Sequence, residues 1–238
     1  MKSLIKNLYK VTTCILKVTT CILSLSSICK TKQPKKILII FPEIGLNGTE
    51  YDDILPKNIH KIYLNIWTNQ QFDKLNEIDN YQTKQLEYEK WLNNIIIDSR
   101  KQIINEMKKY NHTLPKTIFF SHSFGTIIAE KLKDHADMII TYGGIIKKNN
   151  IKIFNLLGTE DNVVLSNYFY WPKNTIPLQD LNHYSCVTSV NKNKTILWNK
   201  SLNKYMNTSS KINEKVLNDD KRYVLYRQIN WLINEEIH

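Results

Sequence analysis

Apolar residues recur along this chain in two registers, short unbroken runs and long stripes at helical spacing, and their alternation sets the fold class. Lys36 to Phe41 is a β-branched run bounded by Pro42, Gly45 and Gly48, the pattern of a strand buried on both faces. His60 to Trp67 is a second apolar run. Thr117 to Phe120, Met138 to Tyr142 and Ile151 to Leu157 are three more, and a weaker strand is expected near Thr175 to Leu178. Stripes lie between and after them. Tyr88, Leu92, Ile95, Ile96, Ser99, Ile103 and Met107 predict an amphipathic helix over Gln85 to Lys109, and a shorter helix runs from Thr126 to about Lys133. Val216, Leu217, Val224, Leu225, Ile229, Leu232 and Ile233 predict a packing helix over about Glu214 to Glu236, again from the helical period. Buried strands separated by helices predict an α/β domain with a mostly parallel central sheet flanked by helices, because parallel strands need crossovers.

A different pattern precedes this domain. Leu4, Leu8, Val11, Ile15, Val18, Ile22, Leu25 and Cys29 step by four and three residues, one stripe of a helix, and Lys10 to Leu16 repeats as Lys17 to Leu23. A basic start, the uncharged run Val18 to Leu25 and small residues at Ser24, Ser26 and Ser27 fit a signal peptide. Lys17 leaves fewer uncharged residues than the roughly 20 of a bilayer span, whereas an interfacial helix would use the stripe directly, with lysines at the headgroups. The bland alternative is an extension whose apolar residues rest on the domain. We divide the chain into a hydrophobic and basic segment, residues 1–33, read as an N-terminal helical extension for membrane targeting or association, and a domain, residues 34–238. A membrane-associated or secretory location fits this reading better than the cytosol. Cys14, Cys21 and Cys29 lie in the first part and only Cys186 in the second, so no disulfide framework can staple the domain.

Charge changes the picture less than it first suggests. The net charge is +11, but Lys2, Lys6, Lys10, Lys17, Lys30, Lys32, Lys35 and Lys36 precede the first acid, Glu43, and removing these eight from +11 leaves the remainder near +3. Only three of the 33 basic residues are arginine, the residue that makes most bidentate base and phosphate contacts. No nucleic-acid partner is expected. With 42% hydrophobic and 23% charged residues over 238 positions, the chain has the composition of one globular domain rather than a repeat array or a disordered segment.

The chemistry concentrates where the third strand meets the following helix, at Ser121-His122-Ser123-Phe124-Gly125. Small-x-Ser-x-Gly between a strand and a helix holds the serine on a strained elbow above the sheet edge, and larger residues at the flanking positions would collide across the turn. The Phe124 N–H, at the start of the helix, then faces an anion site. A serine hydroxyl needs a histidine to accept its proton and an acid to fix the imidazole tautomer. Asp161 stands just beyond the Ile151 to Leu157 strand, and His183 follows the Thr175 to Leu178 strand. The order Ser, Asp, His is the hydrolase order. Glu160 is the alternative to Asp161, while Asp180 lies too close in sequence to the histidine it would orient. Asp161 as a plain turn former and His183 as a loop histidine are the structural alternatives. His122 is expected to point away from the reaction, and His60, His112, His135 and His238 to be solvated.

From about Lys36 onward the chain resembles the α/β-hydrolases, a family of serine esterases, lipases, thioesterases and peptidases. The resemblance implies Ser123 as nucleophile, Asp161 as acid and His183 as base, with oxyanion N–H donors from Phe124 and from the loop after the first strand. Many relatives have His-Gly in that loop, and this chain has Phe41-Pro42. Pro42 has no N–H, so Glu43 is the expected second donor, with Ile44 as the alternative. A carboxylate at that point would hinder an oxyanion unless its side chain faces away. Only about eight residues, 143–150, are available where lipases insert a lid, so a minimal domain without a cap is expected. An acyl pocket would draw on Trp67, Gln70, Tyr142 and the Tyr168 to Trp171 cluster, although core packing explains those aromatics equally simply. No metal or organic cofactor is implied, because no His, Cys or Asp cluster has ligand spacing along the sequence. The resemblance leads to an expected serine hydrolase acting on a carboxylic ester or thioester through an acyl-enzyme, and the membrane-directed reading of residues 1–33 points to a lipid or other small acyl substrate. The alternative is a catalytically inactive binding or scaffold protein on the same fold.

Overall fold

Strand β1 (Lys36–Phe41) pairs in parallel with β2 (His60–Tyr63) on one side and β3 (Lys116–His122) on the other, Ile39 lying opposite both Ile62 and Phe119. In the computed structural model β4 (Met138–Tyr142), β5 (Lys152–Gly158) and β6 (Thr175–Leu178) extend the sheet in the order β2-β1-β3-β4-β5-β6, every pairing parallel. The structure describes residues 34–78, 84–110, 114–147, 150–165, 171–187, 196–199, 204–207 and 219–235. The expectations for residues 1–33, for Val216 and Leu217, and for His112 and His238 lie outside them. Among the described residues no helix is long and apolar enough to cross a membrane.

Alternate residues of each strand point to opposite faces, and both faces are buried. Leu38, Ile40, Ile118, Phe120, Met138 and Ile140 pack against Tyr51, Ile54 and Leu55 and against α5 (Asp219–Glu235) through Leu225, Ile229, Leu232 and Ile233. Ile37, Ile39, Phe41, Phe119 and Ile139 pack on the other side against α1 (Asn69–Glu77), α2 (Gln85–Met107) and α3 (Gly125–Lys131). This two-faced burial explains why the strands read as continuous apolar runs. It is an α/β-hydrolase-like arrangement, and the described sheet is wholly rather than mostly parallel.

Three differences from the sequence reading have physical causes. Helix α1 was not predicted, because its sequence is polar, yet Thr68 caps it by accepting from the Gln71 N–H. Thr-x-x-Gln is a capping signature that was legible. The second apolar run keeps only four residues as strand, since Leu64 and Ile66 are buried in the following loop instead. Val224 is 51% exposed, because the buried stripe of α5 runs through Leu225, Ile229, Leu232 and Ile233 and Val224 falls about 100° away. A separate antiparallel pair, β7 (Ile196–Asn199) with β8 (Lys204–Asn207), was also not foreseen.

Chain order reverses between β1 and β3: β2 lies outward of β1 on one side and β4 outward of β3 on the other. A crevice opens at the carboxyl ends of strands at such a switch point. The loop after β1 and the turn after β3 lie at those strand ends, and both carry the residues singled out above.

Candidate active site

Ser123 follows β3 directly and has a φ of 50°, a left-handed conformation that costs a non-glycine residue on the order of 1 kcal/mol or more and persists only where the surroundings enforce it. Two bonds enforce it here. The Ser123 N–H donates to the Tyr142 carbonyl at 3.1 Å and the Ser123 carbonyl accepts from Thr126 at 2.9 Å. Beneath the turn Ser121 is fully buried with its Oγ 3.2 Å from Thr126 Oγ1. Gly125 lets α3 start against the end of β1, since a Cβ there would fall on the Phe41 carbonyl. The small-x-Ser-x-Gly pattern is thus a packing requirement on both sides of the serine.

Asp161 is completely buried, one residue before the single-turn helix α4 (Asn162–Leu165). Its Oδ1 accepts from the N–H groups of Val163 and Val164 at 3.1 and 3.0 Å, so it caps that turn. The same carboxylate accepts from His183 Nδ1 at 2.9 and 3.0 Å. Turn-forming and imidazole-orienting roles therefore coincide. Burial alone would raise its pKa, but the bonds from His183, Val164 and Val163 outweigh burial and hold it below the usual carboxylate value.

His183 sits in a turn after β6, 4% exposed. The turn is held from several directions: Tyr142 donates to the Asn182 carbonyl at 2.6 Å, the Glu160 N–H to the Leu181 carbonyl at 2.9 Å, and His122 Nε2 to the His183 carbonyl at 2.8 Å. Gly158 lies so close beneath it that a Cβ would meet the Leu181 carbonyl. With its backbone fixed, the ring reaches Ser123, Nε2 standing 2.8 Å from Oγ. Gly143 completes the fit, because at its φ of 56° a Cβ would lie 2.8 Å from His183 Nδ1. Burial would lower the His183 pKa, but the Asp161 and Glu43 carboxylates outweigh it and raise the value to about 9.

The structure brings Ser123, Asp161 and His183 into one hydrogen-bonded line. Glu160 is exposed and lies outside it, as is Asp180 on its own turn. His60 is exposed and His135 half-buried, both away from the strand ends that hold the line.

Three points of the sequence reading need correction. The Glu43 N–H is not presented to an oxyanion, because it donates to Tyr51 Oη at 3.1 Å. Nor does the Glu43 side chain face away: Oε1 is 3.7 Å from His183 Nε2 and Oε2 is 3.3 Å from His122 Nδ1. The Phe124 and Ile44 N–H groups find no backbone acceptor among the described residues. His122, expected to point away, instead lies under His183 with ring centroids 5.1 Å apart. Its Nε2 faces a carbonyl and must carry the hydrogen, so Nδ1 accepts from Tyr51 Oη at 3.0 Å. Burial chiefly lowers its pKa, to about 4, which keeps it neutral. A continuous relay results, from the Glu43 N–H through Tyr51 and His122 to the His183 carbonyl. Sequence reasoning missed it because positions 43, 51, 122 and 183 meet only through the topology.

Of the expected pocket aromatics, Tyr142 is core and fully buried. Trp67 is half-buried and packs edge-on against Phe124 at 5.4 Å, with its Nε1 donating to the Pro42 carbonyl at 3.2 Å. Gln70 and Trp171 are exposed, and Tyr168 lies outside the described residues. Trp67, Trp91 and Phe124 therefore form an aromatic wall beside the serine.

No family model matches the chain, and no curated protein sequence matches it. Among solved structures it is similar to the crystal structure of a predicted CIB-like hydrolase from Thermoplasma acidophilum, at 13% identity and a TM-score of 0.39, over 67% of this chain and 82% of that one.

Proposed function

We propose that the protein is a serine hydrolase that cleaves a carboxylic ester or thioester through an acyl-enzyme. The observation that carries this reading is the 2.8 Å approach of His183 Nε2 to Ser123 Oγ with Asp161 2.9 Å from the other ring nitrogen. Ser123 Oγ attacks the acyl carbon as its proton passes to His183 Nε2. Asp161 holds the Nδ1 hydrogen and stabilises the imidazolium. The oxyanion takes hydrogen bonds from the Phe124 and Ile44 N–H groups. His183 then gives its proton to the leaving oxygen or sulfur as that bond to the acyl carbon breaks, and water repeats the sequence to release the acid. Trp67 and Phe124 favour an apolar acyl group, and the stripe and lysines of residues 1–33 favour a lipid or other membrane-borne acyl substrate.

A second reading has its own support. Glu43 sets a carboxylate near the base and commits its N–H elsewhere, which favours a hydrolase-fold binding protein without turnover. Hydrolysis of p-nitrophenyl esters of graded chain length by the full chain separates the two. The enzyme reading expects turnover that falls roughly 10³-fold or more in Ser123→Ala. No turnover by folded wild-type protein on any ester or thioester would leave the binding reading.

A further inference from the structure

The Glu43 carboxylate, His122 Nδ1 and His183 Nε2 converge, with their ligand atoms all within 4.8 Å of one another. We propose that these three side chains form a binding site for a transition-metal ion of the zinc class, and that its occupation switches Ser123 off. The binding stands on geometry alone, whereas the switching rests on the hydrolase reading above.

Four observations carry the site. Oε2 lies 3.3 Å from His122 Nδ1 and Oε1 lies 3.7 Å from His183 Nε2, so each oxygen is near one nitrogen at roughly the 3.3 Å edge of a tetrahedral site with metal–ligand bonds of about 2.0–2.1 Å, and a small closure of the three groups would complete it. Both imidazoles turn inward the nitrogen opposite their outer hydrogen bond: His122 Nε2 donates to a carbonyl and His183 Nδ1 donates to Asp161, so His122 Nδ1 and, once a metal displaces its proton, His183 Nε2 are the nitrogens that would bind. Those same outer bonds are of the kind that fix the tautomer and orientation of metal-binding histidines. Glu43 Oε2 is buried and accepts no hydrogen bond of ordinary length from the described residues, an expensive condition for a carboxylate oxygen that a cation relieves.

Each nitrogen at present stands against a hydroxyl oxygen, Tyr51 Oη at 3.0 Å from His122 Nδ1 and Ser123 Oγ at 2.8 Å from His183 Nε2. A metal bound at either nitrogen by a bond of about 2.0–2.1 Å must therefore displace that hydroxyl oxygen from its present position. Two imidazoles and one carboxylate select zinc, copper or nickel over magnesium or calcium, which prefer oxygen ligands throughout. A metal on His183 Nε2 occupies the lone pair that must receive the Ser123 proton, and the nucleophile loses its base.

The test uses the full chain, stripped with a chelator, and reads zinc uptake by competition with a chromophoric zinc indicator near neutral pH. The expected result is one tight Zn²⁺ per chain, unaffected by Mg²⁺, retained in Ser123→Ala and weakened about tenfold or more in Glu43→Gln. Zinc should also raise the melting temperature of wild type but not of Glu43→Gln; should that variant not fold, His183→Gln serves the same comparison. In parallel, zinc should slow fluorophosphonate labelling of Ser123 about tenfold or more, reversibly with chelator. No saturable uptake, or equal uptake by wild type and Glu43→Gln, would overturn the site. Uptake is read without turnover, so a chain that binds zinc as expected yet never labels supports the site and rejects the switching.

Discussion

Glu43 is the residue whose surroundings decide how the site behaves. Its carboxylate and that of Asp161 approach the His183 ring from opposite sides, at Nε2 and Nδ1 respectively, and together they outweigh burial to raise the imidazole pKa to about 9. A general base acts only when unprotonated. On the proposed hydrolase reading, the rate should therefore rise with pH through neutrality and level off above about 9. Glu43→Gln removes one of the two carboxylates and moves that limb to lower pH, which a kcat/KM profile of both proteins in the presence of chelator would read. A wild-type limb near the ordinary histidine value, or one unmoved in Glu43→Gln, would contradict this electrostatic picture. Ser123, Asp161 and His183 were legible because each stands just after a buried strand in the order of a known chemistry. The part played by His122 was not, since nothing in Ser121-His122-Ser123 indicates that the ring lies beneath His183 and holds its carbonyl.

At the scale of elements, the buried strands were legible because a strand covered on both faces is an unbroken β-branched run. Met138–Tyr142 and Thr175–Leu178 carry the boundaries read from sequence. The polar helix α1 was missed because its stability comes from its cap and its tertiary contacts rather than from an apolar stripe. Two substitutions separate packing that serves the whole domain from packing that serves the site. Ile229→Ala on α5, fully buried against the sheet, should cost about 2–5 kcal/mol of stability while the remaining folded protein keeps its activity. Gly125→Ala drives a Cβ into the Phe41 carbonyl, a backbone atom that cannot swing aside, so α3 must shift and activity falls even where the protein stays folded. Urea titration with ester hydrolysis on the same samples distinguishes them. Equal specific activities of the two folded variants would count against the close approach of α3 to β1 as the feature that sets the elbow.

For the whole molecule, the site and the fold make opposing demands on pH. His122 has a folded pKa lowered to about 4, so its contribution to stability is present above the ordinary histidine value near 6.5 and is lost as pH falls toward 4. The shift corresponds to on the order of 3 kcal/mol at most. His183 has a folded pKa raised to about 9, so its contribution is present below about 6.5 and is lost as pH rises through 9. Asp161, held below its usual value, adds a further loss only in stronger acid. Stability should therefore peak near pH 6.5 and decline toward 9, where the base becomes active. Urea midpoints across that range would check this, and a midpoint that climbs from 6.5 to 9 would refute it.

The claim at the centre is that Ser123 is made nucleophilic by His183. Its most direct test is reaction of the full chain with a fluorophosphonate at pH near 9, where His183 sheds its proton, in the presence of chelator, with mass spectrometry of the peptides. One adduct per chain, located on Ser123 and lost in His183→Gln, is the predicted result. Folded protein that carries no adduct, or carries it on another serine, would contradict the account.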